Sequence, residues 1–268
     1  MPVLSSLNRC TSVRRATLFG LLFLQCALAW SMAAASAGAA AGAVAGAAAG
    51  AAAPPLSQTQ QRQVDAAVLD YESGRRLVAQ RAFERLARQG VPAAQYNLAV
   101  MHLQRELLQP DVRQARRLLT LSARGGFVTA QFMLGQALET GQLGPRDLAL
   151  AHQWYEVAAL NGSVEAQVAM GTAFYLGRGR PKDAVQALHW FRESAKGGDV
   201  GAMYLLASMY EHGDGVDADL RLARYWYGVA ADQGDEAAPA KVRELDARAG
   251  GTSPVPPVPP VPPITAPL

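Results

Sequence analysis

The sequence predicts an all-α solenoid of helix-turn-helix repeats with a 36-residue period. Three observations predict it: five alanines at one spacing, apolar positions at helical intervals in each unit, and glycines where each helix should stop. The alanines are Ala94, Ala130, Ala166, Ala202 and Ala238, each 36 residues after the last.

The first helix of each unit opens on that alanine. Leu98, Leu134, Met170 and Leu206 follow four residues on, and His102, Leu138, Phe174 and Tyr210 eight residues on. This spacing marks one face of a helix. Ala99, Gly135, Gly171 and Ala207 are small, and are expected to let a neighbouring backbone approach. The helix should end at Gly141, at Gly177 with Gly179, and at Gly213 with Gly215, because glycine accepts positive φ. Pro145 and Pro181 fix the loop exit. Asp147, Asp183 and Asp219 then sit where a carboxylate favours the start of a second helix. That helix carries Ala151, Ala187 and Ala223, then the aromatic pairs Trp154-Tyr155, Trp190-Phe191 and Trp226-Tyr227, and closes on Gly126, Gly162, Gly198 or Gly234. A single unit cannot bury its apolar face alone, so three or more must stack.

The chain divides accordingly. Residues 1–29 carry Arg9, Arg14 and Arg15 ahead of the apolar run Ala16 to Trp30 and a small-x-small site at Ala27-Leu28-Ala29, the pattern of a secretory signal peptide; the other reading is a retained membrane anchor. Residues 30–57 are an Ala/Gly-rich linker that cannot build a core. The solenoid spans 58–249: a degenerate first unit 58–93, units 94–129, 130–165, 166–201 and 202–237, and a capping helix 238–249. In the degenerate unit Tyr71 and Gly74 mimic the end of a first helix, and Ala79, Phe83, Leu86 and Gly90 a second. Residues 250–268 repeat Val-Pro-Pro and should be a Pro-rich disordered tail of extended polyproline II, docking an aromatic groove elsewhere, serving as a spacer or forming a plain disordered end.

The unit columns resemble the Sel-1-like repeat family, relatives of the tetratricopeptide repeats, in the pattern A-x-x-x-L-G-x-x-Y-x-x-G-x-G-x-x-x-D-x-x-x-A-x-x-W-Y-x-x-A-A-x-x-G-x-x-x-A. Ala166 to Gly198 and Ala202 to Gly234 fit best, and the likeness covers roughly Val64 to Leu245. The unit from Ala94 departs: Arg105-Glu106 replaces the glycine loop and Arg117-Leu118 the aromatic pair, so its first helix should run longer or its loop be reshaped. The resemblance implies a curved right-handed superhelix used as an adaptor in protein quality control, in signalling, in a bacterial envelope or in host contact, and names no partner.

Composition excludes several chemistries. The net charge is +3, but without the three leader arginines 22 basic residues face 22 acidic ones, so a general nucleic-acid binder is not expected. Both cysteines, Cys10 and Cys26, fall in the leader, leaving the body no thiol chemistry. No phosphate-binding loop, paired-His metal motif or nucleophile elbow occurs. Gly177-Arg178-Gly179-Arg180 belongs to a repeat loop, and Asn161-Gly162-Ser163 to a turn. His102, His152, His189 and His212 occupy four different columns. No enzyme activity, cofactor or metal is expected.

Binding is expected on the concave face, lined by first helices. Its candidate residues are Tyr96, Phe132, Gln136, Thr172, Tyr175, Tyr204, Ser208 and Glu211. Two readings of the stripe Tyr96, Phe132, Val168, Tyr204 stay open: a partner groove, or contact between units. Charge is uneven, with 11 basic against 6 acidic residues from Gln58 to Thr129 and 11 against 16 from Ala130 onward. The basic end (Arg75, Arg76, Arg81, Arg85, Arg88, Arg113, Arg116, Arg117) suits an acidic partner, head-to-tail self-association or plain solvation. The expected function is a non-catalytic scaffold for a protein or peptide in the periplasm. The alternatives are a regulatory subunit of an envelope enzyme or a secreted host-interaction factor. A membrane takes part only if the leader stays as an inner-membrane anchor.

Overall fold

The structure, a computed structural model, describes residues 56–248. The expected signal peptide, nearly all of the Ala/Gly linker and the Val-Pro-Pro tail lie outside the described residues. The described chain forms eleven helices and, within those residues, no strand: α1 Gln58–Glu72, α2 Arg76–Arg88, α3 Pro92–Leu103, α4 Val112–Arg124, α5 Val128–Thr140, α6 Leu148–Leu160, α7 Val164–Leu176, α8 Ala184–Lys196, α9 Val200–His212, α10 Leu220–Asp232 and α11 Ala238–Arg248. Each helix packs on the next, so α1–α2, α3–α4, α5–α6, α7–α8 and α9–α10 are hairpins joined along the chain. First helices begin two residues before the repeating alanine.

The helix ends show why these segments fold as they do. Every second helix from α4 on is capped by an aspartate in one register position. Asp111 accepts from the Arg113 amide, Asp147 from Leu150, Asp183 from Gln186 and Asp219 from Arg221 and Leu222. Asp111 fills the position that the first divergent unit shares with the three predicted caps. Ser163 and Asp199 cap α7 and α9 in the same way, and Ser57 forms a capping box with Gln60 on α1. Second helices close on a left-handed glycine. The next residue donates back five positions, as from Ser163 to the Ala158 carbonyl at 2.9 Å and Asp235 to Ala230 at 2.9 Å.

First helices α5, α7 and α9 stop at Gly141, Gly177 and Gly213, with φ of 80°, 72° and 77°. The matching position after α3 is Arg105, which takes φ 57° without being glycine. The divergent unit therefore keeps the chain reversal but reshapes its loop; α3 is shorter than its equivalents, not longer. In the regular units the amide of the capping aspartate bonds the backbone carbonyl of Leu138, Phe174 or Tyr210, whereas Asp111 donates to the His102 ring Nδ1 at 3.1 Å.

Alanines form the closest contacts. Ala94, Ala130, Ala166, Ala202 and Ala238 are fully buried, as are Ala79, Ala115, Ala151, Ala187 and Ala223 on the second helices. A methylene-free side chain here lets helix axes approach. One expectation needs correction. Gly135 and Gly171 make room chiefly for an aromatic ring of their own hairpin, not a neighbouring backbone. A Cβ on Gly135 would lie 2.7 Å from the Tyr155 ring, and one on Gly171 2.7 Å from Phe191. Backbone approach occurs instead at Gly215, where a Cβ would meet the Ala184 carbonyl at 2.4 Å. Trp154, Trp190 and Trp226 are all buried, and the core runs from Val64 to Leu245.

Candidate functional site

Three features of the first helices decide what a partner can reach. The first is a glutamine directly after the repeating alanine. Gln95, Gln131 and Gln167 are buried, and their Nε2 atoms donate to the carbonyls of Ala87, Ala123 and Ala159 at 3.3, 3.1 and 3.2 Å. Those carbonyls lie at the end of the preceding second helix, where each also accepts the amide of Gly90, Gly126 or Gly162. The glutamines thus weld unit to unit. The Ala-Gln dipeptide, repeated at the 36-residue period, was the signal available in the sequence.

The second feature is a matched pair of columns. The column Leu103, Glu139, Tyr175, Glu211 on first helices faces Leu119, Tyr155, Phe191, Tyr227 on second helices. The Tyr155 hydroxyl donates to Glu139 Oε2 at 2.8 Å and Tyr227 to Glu211 Oε2 at 2.9 Å. Where the second-helix residue is Phe191, which has no hydroxyl, the first helix offers the Tyr175 ring edge-on at 6.5 Å. Burial and the facing carboxylate push both tyrosine hydroxyls well above their ordinary pKa.

The third feature joins each of these first-helix residues to the unit beyond. Arg178 lies 3.9 Å from Glu139, and the Tyr175 hydroxyl donates to Asp214 at 3.2 Å. Glu211 receives Lys241 at 3.2 Å and Arg248 at 3.5 Å from α11. Burial would raise the Glu211 carboxyl, but hydrogen bonds from Tyr227 and Lys241 and the Lys241 charge outweigh it and hold the group below its usual range.

These features sort the eight candidates. Tyr96 is 4% exposed and stacks on Phe127 with ring centroids 5.2 Å apart, and Glu211 is 8% exposed inside the contact that docks α11. Both act within the stack and present little surface. Phe132 and Tyr204 are half-buried against Tyr155 and Tyr227, at 5.6 and 4.9 Å between ring centroids. Phe132 and Tyr204 therefore fasten first to second helices, and Tyr96 fastens its helix to the start of the next unit. Gln136 is exposed, Thr172 and Ser208 half-buried; they occupy one row of α5, α7 and α9 at the repeat spacing. Tyr175 is 38% exposed beside them. Thr140, Leu176 and His212 form a parallel exposed row.

The histidines are spent separately. His102 accepts from a loop amide, the His189 ring meets Trp190 edge-on at 4.9 Å, and His212 Nδ1 lies 2.8 Å from the Ser208 carbonyl. Burial, with Arg180 adding to it, lowers the His152 pKa. Among the described residues no group of three or more His, Cys, Asp or Glu side chains could hold a metal ion, and no helix is long and apolar enough to cross a membrane.

Stacked hairpins welded through glutamines, aspartate caps and an aromatic column define an α-solenoid of helix-pair repeats. The chain belongs to the Sel1 repeat family, whose repeat matches residues 92–127, 128–163, 164–199 and 200–235. Proteins of this family are generally non-catalytic scaffolds for protein interaction. A Sel1 repeat protein from Oxalobacter formigenes is 27% identical over 71% of this chain and 78% of its own, with a TM-score of 0.66. A protective antigen of uropathogenic Escherichia coli strains, displaying an SLR fold, is 30% identical over 63% of this chain with a TM-score of 0.60. This chain spans 36% of that antigen's length. No curated protein matches the chain significantly.

Proposed function

We propose that the chain is a non-catalytic scaffold that holds a protein or peptide along the exposed rows of its first helices, in the bacterial envelope. The observation that carries this reading is the row Gln136, Thr172, Ser208, with Tyr175 at its side. It repeats at the unit spacing and reaches solvent, with Ser208 also hydrogen-bonded to Tyr227, whereas the aromatics Phe132 and Tyr204 lie folded onto the second helices. A repeating polar row with an aromatic at its edge suits an extended polypeptide, which offers backbone amides and carbonyls at regular intervals. Export rests on the charged, apolar and small-residue order of residues 1–29. The Escherichia coli relative is a protective antigen, which favours, as second reading, a secreted factor that meets a host.

The test is affinity capture from envelope fractions with the wild-type chain and with a Gln136→Arg, Thr172→Arg, Ser208→Arg variant. A stoichiometric polypeptide bound by the first and lost by the second is the expected result. A partner retained by a variant of unchanged helicity would contradict the assignment of this face. Recovery of the native protein in culture medium, not in the periplasm, would favour the second reading.

A further inference from the structure

A second surface lies on the second helices of the first two hairpins. On α2, Leu77, Arg81, Arg85 and Arg88 fall on one side of the helix, and all four are exposed. The equivalent positions on α4, each 36 residues on, are Arg113, Arg117, Leu121 and Arg124, again all exposed. Equal register in successive hairpins gives these residues equal orientation. Eight equivalent positions thus hold six arginines, two leucines and no acid.

The pattern stops there. The same positions hold Ala149, Gln153, Val157 and Leu160 on α6, Val185, His189, Glu193 and Lys196 on α8, and Arg221, Tyr225, Val229 and Asp232 on α10. Of the six arginines only Arg113 makes an ion pair with a described residue, its own cap Asp111 at 3.9 Å. Leu77 is 59% and Leu121 42% exposed.

We infer that this arginine-leucine face lies on an anionic phospholipid surface. The partner is chosen by what the face offers and what it lacks. A second copy of the chain is a poor occupant, because the acidic residues of the later units are largely engaged. Asp147, Asp183, Asp199, Asp219 and Asp235 cap helices, while Glu139, Glu211 and Asp246 are bonded to Tyr155, Tyr227 and Arg224. Nucleic acid is disfavoured because no aromatic ring stands among the arginines to stack a base. Guanidinium groups grip phosphate in a fork, and leucines among them enter the headgroup boundary, the chemistry by which amphipathic surfaces attach to charged bilayers. This face is separate from the first-helix rows, and its test is independent of them.

The test is co-sedimentation of the full chain with vesicles of phosphatidylcholine alone and with about one third phosphatidylglycerol, the range in which basic surfaces attach. The wild type is compared with Arg81→Gln, Arg88→Gln, Arg117→Gln, Arg124→Gln. A control variant carries Arg146→Gln, Arg178→Gln, Lys182→Gln, Arg243→Gln, which removes equal charge elsewhere. Circular dichroism checks that all three fold. The four-arginine variant should lose at least about tenfold in partition onto anionic vesicles, the control less than about twofold, and neither should change on neutral vesicles. Added salt should release the wild type from anionic vesicles. Equal losses in both variants, or none, would overturn the inference. So would tighter binding of this face to poly-glutamate or a DNA duplex than to vesicles at the same ionic strength.

Discussion

Tyr155 and Glu139 show what one residue of this stack requires of another. A hydroxyl on a buried residue in the middle of a second helix must find an acceptor on the first, and a carboxylate there needs a donor. The chain meets this need in two units with Tyr-Glu and in the unit between with Phe191 against Tyr175. Tyr155→Phe should cost about 1–2 kcal/mol, because Glu139 loses its donor. Tyr155→Phe with Glu139→Tyr should recover most of the loss, since that pair already exists one unit on. Urea unfolding of the two singles and the double gives the coupling. His102 is a second case. Burial holds its pKa below the ordinary 6.5, and it accepts the Asp111 amide as a neutral ring. A histidine with a lowered folded pKa lends stability that is present above 6.5 and lost as pH falls through the folded value. His102→Gln, which keeps an acceptor without the titration, should lose less stability below pH 6.5 than the wild type. Neither arrangement was legible beforehand. The sequence shows a histidine in a column of Leu, Phe and Tyr, but not that a reshaped loop would use its ring in place of a backbone carbonyl.

At the scale of helices, caps and terminal contacts dominate. Asp183→Ala should lower stability by about 1 kcal/mol and bring down the midpoint of thermal unfolding, with Asp147→Ala and Asp219→Ala alike. This column was readable in three units because a carboxylate at a fixed offset from a glycine loop has few other uses. In the divergent unit the missing glycines hid Asp111. The last helix depends on charge. The lowered Glu211 carboxyl contributes above its ordinary 4.5 and fades as pH falls through its folded value. Hydrogen bonding by Glu211 raises Lys241, which contributes fully below its ordinary 10.5 and fades as pH rises through its raised value. Amide hydrogen exchange in Ala238–Arg248 should therefore be slowest between about pH 4.5 and 10.5 after correction for intrinsic rates, and Glu211→Gln should raise it within that window. A capping helix was legible from its charge and its place after the last alanine; that Glu211 anchors it was not. A polar residue at a groove-like position looks the same in sequence whether it greets a partner or a neighbouring helix.

The whole molecule is a row of equivalent joints. Its fold was readable because each column recurs: one buried alanine predicts little, but five in register, with glycine, aspartate and aromatic columns in step, leave few other solutions. The site was readable only in part. Helical spacing places Tyr96, Phe132 and Tyr204 on the same side as Gln136 and Ser208, but it cannot show how far a ring folds back onto the second helix. Burial removes Tyr96 and Glu211 from the surface and leaves the small polar row. If units meet only their neighbours through equivalent contacts, one unit is dispensable to the fold. Removing residues 164–199 would join Ser163, already a cap, to Val200, and set α9 against α6 as α7 now stands. Circular dichroism of that shortened chain tests the account most directly. It predicts undiminished helicity per residue of the remaining repeats and a cooperative thermal transition at a lower midpoint. Loss of helical signal, or melting without cooperativity, would contradict the repeat register.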